Sequence, residues 1–146
     1  MKQFLVLLAV LPLMLVFFVQ FSLDQMNSSR IGKLNDLVYA AKEEARQEGC
    51  FTRDIKARLT AEIADAFDID PALVKIEATG ENDIKYRIED AEGFSDAQWK
   101  RGLIHYKVSV PIGEVMAGRR LFGIKEEDNT YNYVIESYAA SEKLQK

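Results

Sequence analysis

The stretch FLVLLAVLPLMLVFFVQF, residues 4–21, decides how the rest of the chain is read. Its 18 residues include one polar side chain, Gln20, and no charge. A bilayer core of ~30 Å takes about 20 apolar residues in helix, so residues 4–23 match one crossing. Leu5, Leu7, Leu8, Leu11, Leu13, Met14 and Leu15 favour helix. Pro12 is costly in a soluble helix but tolerated in a membrane helix, usually as a kink. A run that is apolar on every side does not match the one-faced helix of a soluble core. The rival is a cleaved signal peptide, whose apolar core of ~7 to 15 residues precedes a small-x-small cleavage site. Here the run is longer, and the only near match sets Gln20 and Ser22 at the two small positions. The expectation is an uncleaved, single-pass signal anchor, with Phe4, Pro12, Phe17, Phe18 and Gln20 among the residues of the membrane helix.

That division reshapes the bulk composition. The 146 residues have a mean hydropathy of -0.15 and a pI near 5.1, values of an ordinary soluble domain. Hydrophobic residues at 48% and charged ones at 29% exclude a disordered chain. Of the basic residues only Lys2 precedes the apolar run, so 18 Lys and Arg face 23 Asp and Glu after it, a balance of -5. Nucleic-acid binding favours a basic face, so no nucleic-acid partner is expected. Charge sets orientation weakly, because Lys2 lies before the run and Arg30 and Lys33 lie soon after it. The three-residue N-tail offers nothing to translocate and the acidic remainder is readily exported. Residues 1–3 are therefore expected inside the cytoplasm, 4–23 in the cell membrane and 24–146 outside. Cys50 is the only cysteine, so the exported part has no internal disulfide, and the thiol is either a core residue or an intermolecular bridge.

Beyond the membrane the pattern changes twice. Asn27, Ser28 and Ser29 form a small polar cluster that can break one helix or cap another. Ile31, Leu34, Val38, Ala41 and Ala45 then recur at steps of three and four, one face of a helix that Gly49 ends. A second helix is predicted from Thr52 as N-cap to about Phe67, with Ile55, Leu59, Ile63 and Phe67 as its stripe. Asp70 and Pro71 supply the chemistry of one more short turn. After this the period becomes two. Val74, Ile76 and Ala78 alternate with polar neighbours, and Ile84, Tyr86 and Ile88 complete a predicted hairpin across a turn at 80–83. Residues 103–112 form the strongest strand, with Ile104, Tyr106, Val108 and Val110 on one face and His105, Lys107 and Ser109 on the other. Pro111 near its end suggests an edge or a terminus. A last strand is predicted over about 131–138, with Tyr131, Tyr133 and Ile135 on one face. The fold class is therefore α+β: a membrane helix, then amphipathic helices packed on a small antiparallel sheet.

Residues able to do chemistry are few. His105 is the only histidine, which excludes a two-histidine metal site and leaves one residue for any triad; on the polar face of a strand it reads as an exposed sheet residue. Cys50, just after a helix C-terminus, is badly placed for thiolate activation. Glu89, Asp90, Glu92 and Asp96 cluster around Gly93 but lack the spacing of a calcium loop. The basic pairs Lys100–Arg101 and Arg119–Arg120 suit lipid headgroups or an acidic neighbour better than nucleic acid. No catalytic residue, cofactor or metal site is expected. The apolar loop residues Trp99, Val115, Met116, Leu121 and Phe122 are the candidate partner contacts.

A short N-tail, an apolar helix, an amphipathic helix and a small sheet together resemble the pilin-like proteins, in particular the TadE-like minor pseudopilins of Tad (Flp) pilus assembly and their Gram-positive relatives. The residues that carry the likeness are Leu11-Pro12-Leu13 in the membrane helix, Asn35-Asp36-Leu37-Val38-Tyr39-Ala40-Ala41 after it, and the strand around Tyr106 to Pro111. The sequence departs from the pilin pattern in having no acid before Asp24. The resemblance implies a non-enzymatic component of pilus or secretion-filament assembly. Its partners would be the lipid bilayer, other pilin-like or assembly-platform membrane proteins, and in one version a second copy of the chain. A different class, an anchored binding module for a cell-envelope ligand, fits the same layout.

Overall fold

A helix that begins in the apolar run does not stop at its end. In the computed structural model, which describes residues 2–87, 102–114, 123–125 and 129–144, α1 spans Lys2–Glu48 without interruption. Asn27, Ser28 and Ser29 neither break it nor cap a new helix. Each costs only a few tenths of a kcal/mol against Ala in a helix, which propagation from both sides outweighs. Gly49 ends α1 with φ +78°, a left-handed conformation that glycine adopts without steric cost.

Helix α2, Arg53–Phe67, starts where the sequence expects. The Thr52 hydroxyl oxygen accepts the Ile55 amide at 3.2 Å, satisfying one of the first-turn donors. Asp68 closes α2 in the left-handed region at φ 53°. A short 3-10 turn, Pro71–Leu73, follows, with the Asp70 carboxylate accepting the Ala72 amide at 2.8 Å. Strands β1 (Lys75–Ala78), β2 (Leu103–Glu114) and β3 (Thr130–Ala140) form an antiparallel sheet in the order β1-β2-β3.

Among the described residues, which exclude Ile88, the predicted hairpin does not form. β1 pairs with β2 instead, with Lys75 opposite Ser109, Ile76 opposite Val108, Glu77 opposite Lys107 and Ala78 opposite Tyr106. The backbone of 84–87 goes elsewhere: Lys85 donates to the Gly49 carbonyl at 2.8 Å and Arg87 to the Lys143 carbonyl at 2.8 Å. A Cβ on Gly49 would stand 2.4 Å from the Lys85 carbonyl oxygen, so a side chain there would push this segment away. Pro111 lies in the central strand, beyond the reach of β1, whose pairing stops at Ser109. There its missing N–H costs no β1 bond.

The chain divides into two units, Met1–Gly32 with Pro111–Asn132, and Lys33–Val110 with Tyr133–Lys146. The second holds the main core. Leu34, Val38, Ala41 and Ala45 of α1 and Ile55, Leu59 and Ile63 of α2 are buried with Ile104, Tyr106, Val108 and Val110 of β2, joined by Phe51, Val74 and Ala139. Phe51 and Tyr106 contribute an aromatic contact at 5.6 Å between ring centroids. Tyr133 and Ile135 pack against this core as expected of the last strand, whereas Tyr131 is 61% exposed, because the core contacts of β3 start at Tyr133. In the first unit, Gly113 leaves room for the Arg30 guanidinium, whose Nη1 lies 2.7 Å from where a Cβ would sit.

Candidate functional site

The apolar part of α1 exposes its side chains on every side. Phe4, Leu8, Leu13, Phe17, Phe18 and Phe21 are each more than 60% accessible, with Phe17 at 78%. None of the most apolar 18-residue window is buried. Water penalises such a surface by roughly 25 cal/mol per Å² of apolar area, so it calls for a non-aqueous neighbour. Within Val6–Glu48 this helix is long and apolar enough to cross a membrane, and its position suits a single-pass anchor or a signal sequence. Pro12 lies inside the helix. Gln20 is half-buried and donates from Nε2 to Asp24 Oδ1 at 3.1 Å, one turn further along.

The second polar feature is the outer face of the sheet. His105 Nε2 lies 3.1 Å from Glu136 Oε1, and Lys107 Nζ lies 3.2 Å from Glu136 Oε2. The His105 ring rests against Tyr138 at 4.9 Å between centroids. The His105 hydrogen bond first, and Lys107 second, hold the Glu136 carboxyl below its ordinary value. His105 is therefore a half-exposed sheet residue whose carboxylate partner is shared with a lysine. Sequence alternation placed His105 and Lys107 on one face, but their meeting with Glu136 and Tyr138 depends on the β2–β3 pairing, for which no local signal exists.

Arg46 ties the end of α1 to the tail of the chain. It forms ion pairs with Glu43, at 2.9 Å, and with Glu142, and its Nε donates to the Ala140 carbonyl at 3.2 Å. The Glu142 amide in turn donates to the Arg46 carbonyl at 2.8 Å. The Glu43 hydrogen bond raises the Arg46 pKa further, so the guanidinium stays charged. Arg46 also lines a groove of about 600 Å³ with Arg87, Leu103, Ser141, Glu142 and Leu144. Guanidinium and aliphatic groups together suit a ligand with an anionic and an apolar part.

Cys50 is buried as a free thiol, and burial pushes its pKa up, away from the reactive thiolate. Among the described residues no three His, Cys, Asp or Glu side chains gather as a metal-binding group. Trp99, Val115, Met116, Leu121 and Phe122, the acidic cluster Glu89, Asp90, Glu92 and Asp96, and the basic pairs Lys100–Arg101 and Arg119–Arg120 lie outside the described residues. Comparison with family models, with curated proteins and with solved structures gives no match for this chain.

Proposed function

We propose that this protein is a membrane-anchored, non-catalytic component of pilus or secretion-filament assembly, of the pilin-like, TadE-like kind. Residues 4–23 cross the cell membrane, and the α+β part lies outside the cytoplasm. The observation that carries this reading is the unburied apolar window of α1 continuing without a break into the helix that supplies Leu34, Val38, Ala41 and Ala45 to the core. Such a helix offers lipid-facing and protein-facing surface at one end and a folded unit at the other. Helices pack in membranes through close side-chain contact, so partners of this anchor would be other membrane helices.

Photo-crosslinking from the bilayer tests it. A benzophenone side chain at Val10 or Phe18 of the full-length protein, activated in native membranes, is expected to yield adducts with a second membrane-spanning protein, identified by mass spectrometry. Adducts with lipid alone would contradict an assembly role. They would leave an anchored binding module, with the groove beside Arg46 and Arg87 as the place for its envelope ligand.

A further inference from the structure

The two edges of the sheet are unlike. β1 is four residues long and turns Lys75 and Glu77 outward, the short and charged design that discourages strand addition. β3 is eleven residues long, TYNYVIESYAA, with no proline, no glycine and no lysine. Among the described residues no strand lies beyond it. Its one charge, Glu136, already forms an ion pair with Lys107 and a hydrogen bond with His105 of the same chain.

Two hydrogen bonds fix which backbone groups face that edge. The Ser141 amide donates inward to the Gly102 carbonyl, whereas the Ala140 carbonyl points outward to Arg46. In an antiparallel ladder the N–H and C=O of a residue point to the same side, and the side alternates along the strand. The groups of Val134, Glu136 and Tyr138 therefore point out from the edge, while those of Ile135 and Ser137 are turned toward β2. At its far end the edge is closed, since Arg46 occupies the Ala140 carbonyl and accepts from Glu142.

We infer that the outer edge of β3, over its middle residues, pairs antiparallel with β3 of a second copy of this chain, about a two-fold axis at Ile135, so that Val134 stands opposite the partner's Glu136. Electrostatics and the closed end disfavour two neighbouring registers. An axis at Glu136 would set the two carboxylates directly opposite each other, which destabilises a cross-strand pair. An axis at Ser137 would seat the Ala140 carbonyl, which Arg46 already holds, against Val134 inside the paired segment, whereas an axis at Ile135 brings it only to the end of the strand, opposite Thr130, where the pairing stops short. The axis at Ile135 sets each carboxylate opposite an apolar residue and leaves it beside its own Lys107. A strand pair of this length makes a small interface, weak between free molecules. Two copies anchored in one bilayer meet at a raised effective concentration, which favours such a contact; in this respect the inference rests on the membrane anchor proposed above.

The register gives a crosslinking pattern. Single cysteines are placed in the full-length protein in membranes and treated with a thiol crosslinker spanning about 8 Å, the reach of diagonal cross-strand neighbours. Val134→Cys and Glu136→Cys are expected to give covalent dimers. Tyr138→Cys stands about 20 Å from its counterpart at ~3.4 Å per residue and is expected to give none. Glu77→Cys on the opposite edge and the parent chain with only buried Cys50 are also expected to give none. Adding Glu136→Pro to the Val134→Cys protein removes an outward N–H that β2 does not use, and is expected to abolish the dimer. Absence of dimers at both positions 134 and 136, equal dimers at 77, or a crosslinked band of a different protein overturns the inference. Carbonate washing of the same membranes reports the anchor separately. Retention in the pellet without the pattern rejects edge pairing alone; release from the pellet rejects the anchor, and the pattern in the released chain still decides the edge.

Discussion

Thr52 and Gly49 bracket the turn between the two helices, and each acts through its backbone surroundings. The Thr52 hydroxyl satisfies the Ile55 amide, so Thr52→Ala is expected to lower the unfolding free energy by about 1 kcal/mol in urea titrations of the detergent-solubilised chain. Gly49→Ala is expected to cost more. Left-handed strain on a non-glycine residue amounts to roughly 1 to 3 kcal/mol, and here the added methyl also meets the Lys85 carbonyl at 2.4 Å. The larger loss should appear in the same titration. Glu136 makes a pH-dependent contribution whose sign follows from its lowered pKa. The folded state favours the carboxylate, so the stabilisation is present above the ordinary value near 4.5 and fades as pH falls through the lower folded value. Carboxyl NMR titration should place Glu136 below an unperturbed glutamate. His105→Gln should move it back up, because the His105 hydrogen bond is the larger of its causes.

Elements whose signal is local are legible in the sequence. The Thr52 cap, the Ile55–Leu59–Ile63 stripe and the Asp70–Pro71 turn all depend on neighbours within a few positions, and all three form. The alternation of Ile104, Tyr106, Val108 and Val110 likewise identified the buried face of β2. Pairing was not legible. Residues 84–87 alternate as a strand would, yet their amides and carbonyls are taken by Gly49, Lys143 and Ser141, residues distant in sequence. The turn chemistry at 80–83 pointed to a hairpin, while Lys75–Ala78 pairs with β2 across a separation no local pattern encodes. Asn27 to Ser29 misled in the opposite direction, since weak helix formers flanked by strong ones remain helical. The histidine–carboxylate–lysine cluster was half legible for the same reason: alternation gives a residue's face, and only strand order gives its neighbour.

At the scale of the whole molecule, a near-neutral mean hydropathy joins two chemically different parts. Residues 4–21 expose apolar surface on all sides, and the remainder carries a net charge of -5 around a buried core. The proposed anchor requires that this apolar stretch stay with the chain and in the bilayer. Intact-mass measurement of the protein recovered from carbonate-washed membranes of the native host tests this most directly. An anchored protein is expected in the pellet as the 16.6 kDa chain, and in the supernatant when Leu11 and Leu13 are both replaced by Arg, each at a cost of about 2.5 to 3.5 kcal/mol at the bilayer centre. A shortened chain lacking the apolar run and recovered in the supernatant would contradict it.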